Sequence, residues 1–349
     1  MELLATHDGG SGCGYYRMLT PLKELGRTGE FNVTFRSGSE TNTMENPDPP
    51  LAAEDFEDKD VMIVQRVNSW LGLDWWRRQS KPGKLTVYEL DDDIWNLTPD
   101  NRSAFECYRD DPSLCEAVDR YMRDSKLVTA SSEHLASLVV ERVPAANVTV
   151  LPNYVPDWVL DLPRDNQDRR MRIGWFGGSS HARDIEVCAA KPVRTFLQRN
   201  PQWDLYLGGM DFSRNFKTPL DRTYFTGWLN ICDEERLYFR SLDYDIGICP
   251  LVDTKFNRSK TPIKALEMMS RGIPVVASNV EPYEKFIDHG VNGFLVKQEH
   301  EWSKYLGLLA NDDSFREEMS RNARAKAAEN VISKNAWRWA EAYKNALEA

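Results

Sequence analysis

The sequence predicts an α/β protein built from two doubly wound, Rossmann-like domains facing across a cleft. Three observations carry this prediction. Short β-type runs alternate with helical patterns along almost the whole chain, as parallel sheets covered by helices on both faces require. The pattern occurs twice, separated by the Pro- and charge-rich stretch 153–170. The 349 residues suit two domains at roughly 150 residues each, enough chain to bury two cores.

In chain order, the first set of predicted strands is Leu3–Thr6, Phe31–Phe35, Val61–Gln65, Leu85–Leu90, Leu127–Ala130 and Val148–Pro152. The second set is Arg172–Phe176, Leu205–Leu207, Arg222–Thr226, Tyr244–Ile248, Pro274–Ser278 and Gly293–Val296. Helical patterns fill the gaps, among them 15–27, 112–124, 132–142, 184–199, 261–271 and 299–310. Residues 37–60 are polar and Pro-rich and read as a long mobile loop. The boundaries that follow are a first domain at 1–155, a linker at 156–170, a second domain at 171–332 and a final helix within 333–349. That helix carries Trp337 and Trp339, which stand two apart and cannot share one narrow stripe.

Composition excludes several classes. With 41% hydrophobic and 28% charged residues, the chain is neither collagen-like, coiled-coil nor largely disordered. Its longest apolar runs, such as Ile273–Ala277, are too short to span a bilayer. The start Met1-Glu2-Leu3-Leu4 has no basic or signal-length apolar region, so a cytoplasmic location is expected. The net charge of −10 is uneven: residues 1–163 hold 16 Lys/Arg against 28 Asp/Glu, and 164–349 hold 28 against 26. The acidic first half argues against a general nucleic-acid or anionic-membrane partner, and the second half is the better home for a phosphate group. Six cysteines without a CxxC pair and five scattered histidines make no metal signature, so no metal ligands are assigned and free thiols are expected.

Four stretches carry candidate chemistry. The loop 9–14, containing Gly12 and Gly14, joins a strand to a helix. It lacks the P-loop Gly-Lys-Ser/Thr and misses G-x-G-x-x-G because position 17 is Arg. It reads either as a tight turn or as a helix start that receives an anion or sugar hydroxyl. Gly177-Gly178-Ser179-Ser180-His181 repeats the arrangement in the second half; Ser180 or Asp184 suits helix capping, and His181 with Arg183 suits phosphate. At 256–278, Lys260, Thr261, Pro262, Ile263, Lys264 and Glu267 open a helix. Two cations beside helix-terminal amides suit a diphosphate, and a carboxylate one turn deeper suits a ribose; the plain alternative is a surface Lys264–Glu267 pair. Asp91-Asp92-Asp93 closes a strand with three like charges that need a cation, donors or water. Asp91, the first to emerge, and Asp92 read as catalytic candidates, with a general base, a sugar-hydroxyl acceptor or a metal site as the possible roles, and Asp93 also suits a helix start.

The stretch Glu267-Met268-Met269-Ser270-Arg271-Gly272-Ile273-Pro274-Val275-Val276-Ala277-Ser278 resembles the signature of glycosyltransferase family 4, nucleotide-sugar enzymes of the GT-B fold. Glu284 to Val296, Leu151-Pro152-Asn153 and the N-terminal glycine loop leading to Pro21-Leu22 are also similar to that family. The resemblance implies a nucleotide-diphospho-sugar, a UDP- or GDP-sugar, as co-substrate and no required cofactor. Glu267 would hold the ribose, Lys260, Lys264 and the 261–263 amides the diphosphate, and Gly227-Trp228 would lie near the base. A hydroxyl acceptor of unknown class would sit on the first domain, and Asp91 or Asp92 would lie near the reacting sugar. The last helix would pack back on the first domain, and transfer of the hexosyl or pentosyl group would retain configuration.

Three departures stand out. Ser259 replaces a Glu eight residues before Glu267, Gly-Ser-Ser-His181 replaces an Arg and a Lys, and Asp91 or Asp92 replaces a His. Three alternatives stay open: metal-dependent sugar transfer through Asp91–Asp93, a non-catalytic nucleotide-sugar or glycan binder, and a DNA-base glycosyltransferase.

Overall fold

The computed structural model describes residues 1–7, 11–37, 54–164, 169–217 and 220–349. Gly9 and Gly10 of the first glycine loop, 38–53 of the polar loop and 165–168 of the linker lie outside the described residues.

Two six-stranded sheets form the frame, and every strand pair within them is parallel. The first contains β1 (Glu2–His7), β2 (Asn32–Ser37), β3 (Val61–Gln65), β4 (Leu85–Leu90), β5 (Leu127–Ala130) and β6 (Val148–Val150), in the order β2-β1-β3-β4-β5-β6. The second contains β7 (Met171–Gly177), β8 (Trp203–Gly209), β9 (Thr223–Thr226), β10 (Ile246–Cys249), β11 (Val275–Ser278) and β12 (Gly293–Val296), in the order β12-β11-β10-β7-β8-β9. Each predicted strand has its counterpart, with ends moved by a residue or two. β3 and β4 are buried along their whole length because helices cover both faces, so they are mostly apolar, and their polar members Gln65, Thr86 and Glu89 are buried with them.

The strand order reverses beside β1 in one sheet and beside β7 in the other. Ligands of such sheets collect where the order reverses, beyond the carboxyl ends of the strands. Both glycine loops leave the sheets at these points. After β1, Ser11 caps the next helix by accepting from the Cys13 amide at 3.1 Å and the Gly14 amide at 3.3 Å. The helix then widens into a π-type stretch, Tyr15–Leu19, before continuing as Thr20–Arg27. After β7 a short turn, Ser179–His181, leads to a second π-type stretch, Ile185–Ala189, and the helix Ala190–Arg199. π-type stretches are rare and recur at functional sites.

Two chain crossings join the halves side by side. Val155 and Val331 form a parallel bridge, with the Val155 amide donating to Asn330 and the Ile332 amide to Val155. The linker end is tied to the second domain by Arg169 to Asp245 and Arg172 to Asp243, each at 2.7 Å. The helix Trp337–Glu348 lies on the first sheet. Its Trp339, Tyr343 and Ala346 share one core with Leu3, Leu22 and Leu85, and Trp339 meets Tyr154 edge-on at 5.9 Å. Trp337 points away and is 55% exposed, as the spacing of the two Trp residues demands. No helix among the described residues is long and apolar enough to cross a membrane.

Removing the Trp339 side chain would open a large cavity in the first core. Trp339→Ala is expected to lower the unfolding free energy by about 3–5 kcal/mol, whereas Trp337→Ala should change it by less than about 0.5 kcal/mol; urea titration followed by circular dichroism reads both.

Candidate active site

A cleft of about 650 Å³ opens between the carboxyl ends of the two sheets. Both domains contribute side chains to its walls.

The second-domain wall is organised by the helix Ile263–Ser270. Pro262 occupies its N-cap position, and the far end closes on Gly272, whose φ of +66° puts it in the left-handed region that favours glycine. There the Gly272 amide donates to Met269 at 2.9 Å and the Ile273 amide to Met268 at 3.0 Å. Arg271, buried, donates to the Leu162 carbonyl at 2.5 Å and the Pro163 carbonyl at 2.8 Å, tying this end to the linker. With that end fixed, the open end of the helix faces the cleft, where its first amides have no intrahelical acceptor. Glu267 lies on the cleft side and is almost wholly buried. Its Oε2 accepts from Tyr238 Oη at 2.9 Å and from Lys264 Nζ at 3.1 Å, and Lys264 Nζ also lies 3.0 Å from Tyr238 Oη. Its Oε1 accepts from Tyr16 Oη, on the other domain, at 2.7 Å. Burial, then the Glu267 charge, pushes the Tyr16 and Tyr238 hydroxyls well above the usual tyrosine range, so both stay protonated and donate. The helix starts at Ile263, so Lys260 stands outside it, in the turn before it, with its amine 4.6 Å from the Phe256 ring centre.

His181 lines the same wall. Its Nδ1 lies 2.9 Å from Asp184 Oδ2, and Asp184 Oδ1 accepts from the Val252 amide at 2.8 Å and Asn257 Nδ2 at 3.2 Å. Asp184 is therefore no helix cap: it fixes the imidazole and ties the β7 loop to the loop after β10. Burial, with Lys260 and Lys264 also contributing, holds the His181 pKa below 6.5 against the pull of Asp184. At the mouth Trp228 is 56% exposed, and a Cβ at Gly178 would lie 3.7 Å from its ring. Ser259 is buried and does not line the cleft; its carbonyl accepts from Ser132 Oγ at 2.7 Å, another bond across the domains.

The first-domain wall rests on a buried ion pair. Arg17 Nε meets Glu89 Oε1 at 2.6 Å, and the guanidinium also donates to Asn153 Oδ1 at 3.0 Å and to the Leu151 carbonyl. Asn153 Nδ2 in turn donates to Thr261 Oγ1 at 2.9 Å, joining this pair to the helix start opposite. Asp91 and Asp92 follow β4 into the cleft. Arg66, at the end of β3, reaches Asp91 Oδ1 and Asp92 Oδ2, both at 3.4 Å, and Cys13 Sγ at 3.5 Å. Its φ of +53° is uncommon for a non-glycine residue, a local cost that functional sites often carry. Cys13, Asp91 and Asp92 bring one ligand atom each within 4.8 Å of one another. Asp93 turns inward instead, accepting from the amides of Trp95 at 3.2 Å and Asn96 at 3.1 Å, so it caps a turn rather than a helix.

Of the residues singled out in the sequence, Gly12, Asp91, Asp92, Gly177, Gly178, His181, Trp228, Lys260, Thr261, Ile263, Lys264 and Glu267 line this one cleft. Gly14, Ser179, Gly227 and Pro262 do not: Gly14 is buried in its helix turn, Ser179 opens a turn, Gly227 lies beside Trp228 and Pro262 sits under the helix start. Sequence reading missed Tyr16, Arg66, Asn153 and Tyr238. Only Arg66 carried a signal, a charged residue directly after a buried apolar strand.

Residues 220–326 match the family model described as glycosyl transferases group 1. No curated protein matches the chain in sequence. Its fold is similar to a glycosyltransferase from Rickettsia africae, with TM-score 0.69 and 14% identity over 99% of this chain and 98% of that one. It is similar to HepE from Anabaena in complex with UDP-glucose, with TM-score 0.67 and 18% identity over 99% and 100%. It is similar to sucrose-phosphate synthase from Thermosynechococcus elongatus, with TM-score 0.66 and 14% identity over 99% and 98%. The chain thus has the GT-B fold.

The His181 environment has a measurable consequence. The unfolded chain takes up a proton near pH 6.5 while the native imidazole resists it, so the unfolded state binds more protons below that pH. Stability is expected to fall on acidification from about pH 7.5 to about pH 5.5. The fall in thermal midpoint should be smaller in His181→Gln.

Proposed function

We propose that the chain transfers a sugar from a nucleotide-diphospho-sugar to a hydroxyl acceptor. The observation that carries this reading is the meeting, in one cleft, of Lys260, Lys264, Glu267 and an open helix end with the glycine turn after β7, opposite two carboxylates. Lys260, Lys264 and the amides at 261–263 would bind the diphosphate and stabilise the charge that develops on it as it leaves. Glu267 would accept from the ribose hydroxyls, and Trp228 would cover the base. The relative crystallised with UDP-glucose supports a UDP-sugar as the first donor to try. The acceptor would lie against the first-domain wall, its hydroxyl aligned by Asp91 and Asp92, which Arg66 holds in place.

In the reaction, the acceptor oxygen bonds to the anomeric carbon. The bond from that carbon to the diphosphate oxygen breaks, and its electron pair leaves on the diphosphate. In the retaining course implied by the family resemblance, the acceptor proton passes to that departing oxygen on the same face of the sugar. We infer that no metal is needed, because the cations and amides beside the diphosphate position supply the positive field. A second reading is favoured by the Cys13–Asp91–Asp92 cluster, which is compact enough for a divalent cation.

Thermal shift against UDP-, GDP-, ADP-, CDP- and dTDP-sugars, with and without EDTA, tests the reading. A ligand at 100 times its Kd adds about 2.7 kcal/mol, a shift of several degrees. One nucleotide class is expected to shift the midpoint in EDTA; a shift that requires metal would move the chemistry to Asp91 and Asp92. Lys264→Ala should cost on the order of 10²–10³-fold in kcat/KM, and an unchanged value would remove Lys264 from the mechanism. Binding without turnover on any hydroxyl acceptor would leave a non-catalytic binder.

A further inference from the structure

Both oxygens of Glu267 are engaged, and the two sets of partners come from different domains. Oε2 is held by Tyr238 and Lys264 of its own domain. Oε1 is held by Tyr16 of the other. The Glu267 side chain is 2% exposed and Tyr16 is 4% exposed, so the phenol covers the carboxylate. Tyr15 and Tyr16 both sit in the core cluster of the second domain, although their helix belongs to the first. Tyr15 Oη donates to Glu235 Oε2 at 2.9 Å beside them.

A ribose diol reaches a carboxylate only by donating to its oxygens, and the phenol of Tyr16 stands on that approach. We propose that Tyr16 is an interdomain latch that competes with the donor's ribose for Oε1 of Glu267; this rests on the reading of Glu267 as the ribose site. Because Tyr16 rides on the first domain, the contact it gives up is one between the two walls of the cleft. The phenol must swing off Oε1 as the ribose binds, and on its return it helps to expel the spent nucleoside diphosphate. Both tyrosines belong to the π-type stretch Tyr15–Leu19, a helix irregularity that recurs at functional sites.

Tyr16→Phe keeps the ring in its apolar surroundings and removes the competing donor. Isothermal titration with UDP and GDP, and with their 2′,3′-dideoxy analogues, reads the outcome in the full chain. The ribonucleotide that binds is expected to bind Tyr16→Phe at least fivefold more tightly, and the matching dideoxy compound, which has no diol, should gain nothing. Tyr15→Phe, which leaves Glu267 untouched, should show no diol-dependent gain. Tyr16 replaced by 3-fluorotyrosine, a stronger donor of the same shape, should weaken ribonucleotide binding and serves if Tyr16→Phe does not fold. Equal or weaker ribonucleotide binding by Tyr16→Phe, or an equal gain for the dideoxy compound, would overturn the latch while leaving the donor site standing. Failure of wild type and variant alike to bind any nucleoside diphosphate would overturn the donor reading itself and the latch with it.

Discussion

The Glu267 carboxylate has been taken out of water, and a carboxylate so placed must find donors in the protein or cost several kcal/mol. Much of the architecture around the cleft meets that demand. The helix Ile263–Ser270 carries Lys264 one turn from Glu267, and a helix elsewhere in the second domain brings Tyr238 to the same oxygen. The first domain supplies Tyr16 for the other. Neither domain alone satisfies the carboxylate, so the relative position of the two sheets and the state of this one group are linked. The further bonds across the gap, Asn153 to Thr261 and Ser132 to the Ser259 carbonyl, hold the same alignment at neighbouring points.

The two walls differ in electrostatic character. On the second-domain side, Lys260 and Lys264 stand with a neutral imidazole and an open helix end, a combination that favours an anion. On the first-domain side, Arg17 is paired with Glu89 in the interior, and at the surface of the cleft the one guanidinium of Arg66 faces two carboxylates, Asp91 and Asp92, which leaves that wall net negative. A wall with a residual negative charge repels a phosphate and offers hydrogen-bond acceptors to a neutral hydroxyl compound. The uneven charge of the two halves of the sequence has this local counterpart.

The sequence shows the parts that depend on neighbours along the chain. Alternating strand and helix patterns yield both sheets, because each buried strand declares itself over four to seven residues. Lys260, Lys264 and Glu267 are legible because a helix start and its first turn lie within eight residues. Tyr16 is not legible, since nothing near it announces a partner 251 residues away. Asp184 reads as a helix cap locally, and only the loop after β10 shows that it anchors His181 instead. Arg66 belongs with Asp91 and Asp92 only because β3 and β4 are adjacent and in register. Gly227 and Pro262 stand next to residues that line the cleft, yet Gly227 faces open space and neither lines it. Spacing picks a stretch of chain; packing decides which of its atoms face inward.

The core shared by Leu3, Leu22, Leu85 and Trp339 has a consequence for how the protein is made. All six strands of the first sheet precede Val155, yet one face of that sheet is covered by a helix that comes after the whole second domain. At about 5–20 residues per second, a ribosome delivers Trp339 on the order of ten to forty seconds after Leu151. During that interval the part of this apolar face that Leu22 and its helix do not cover stays exposed until later chain arrives. The domain synthesised first is therefore the last to be completed. A nascent chain of this topology would gain from a chaperone that shields that face until the final helix arrives.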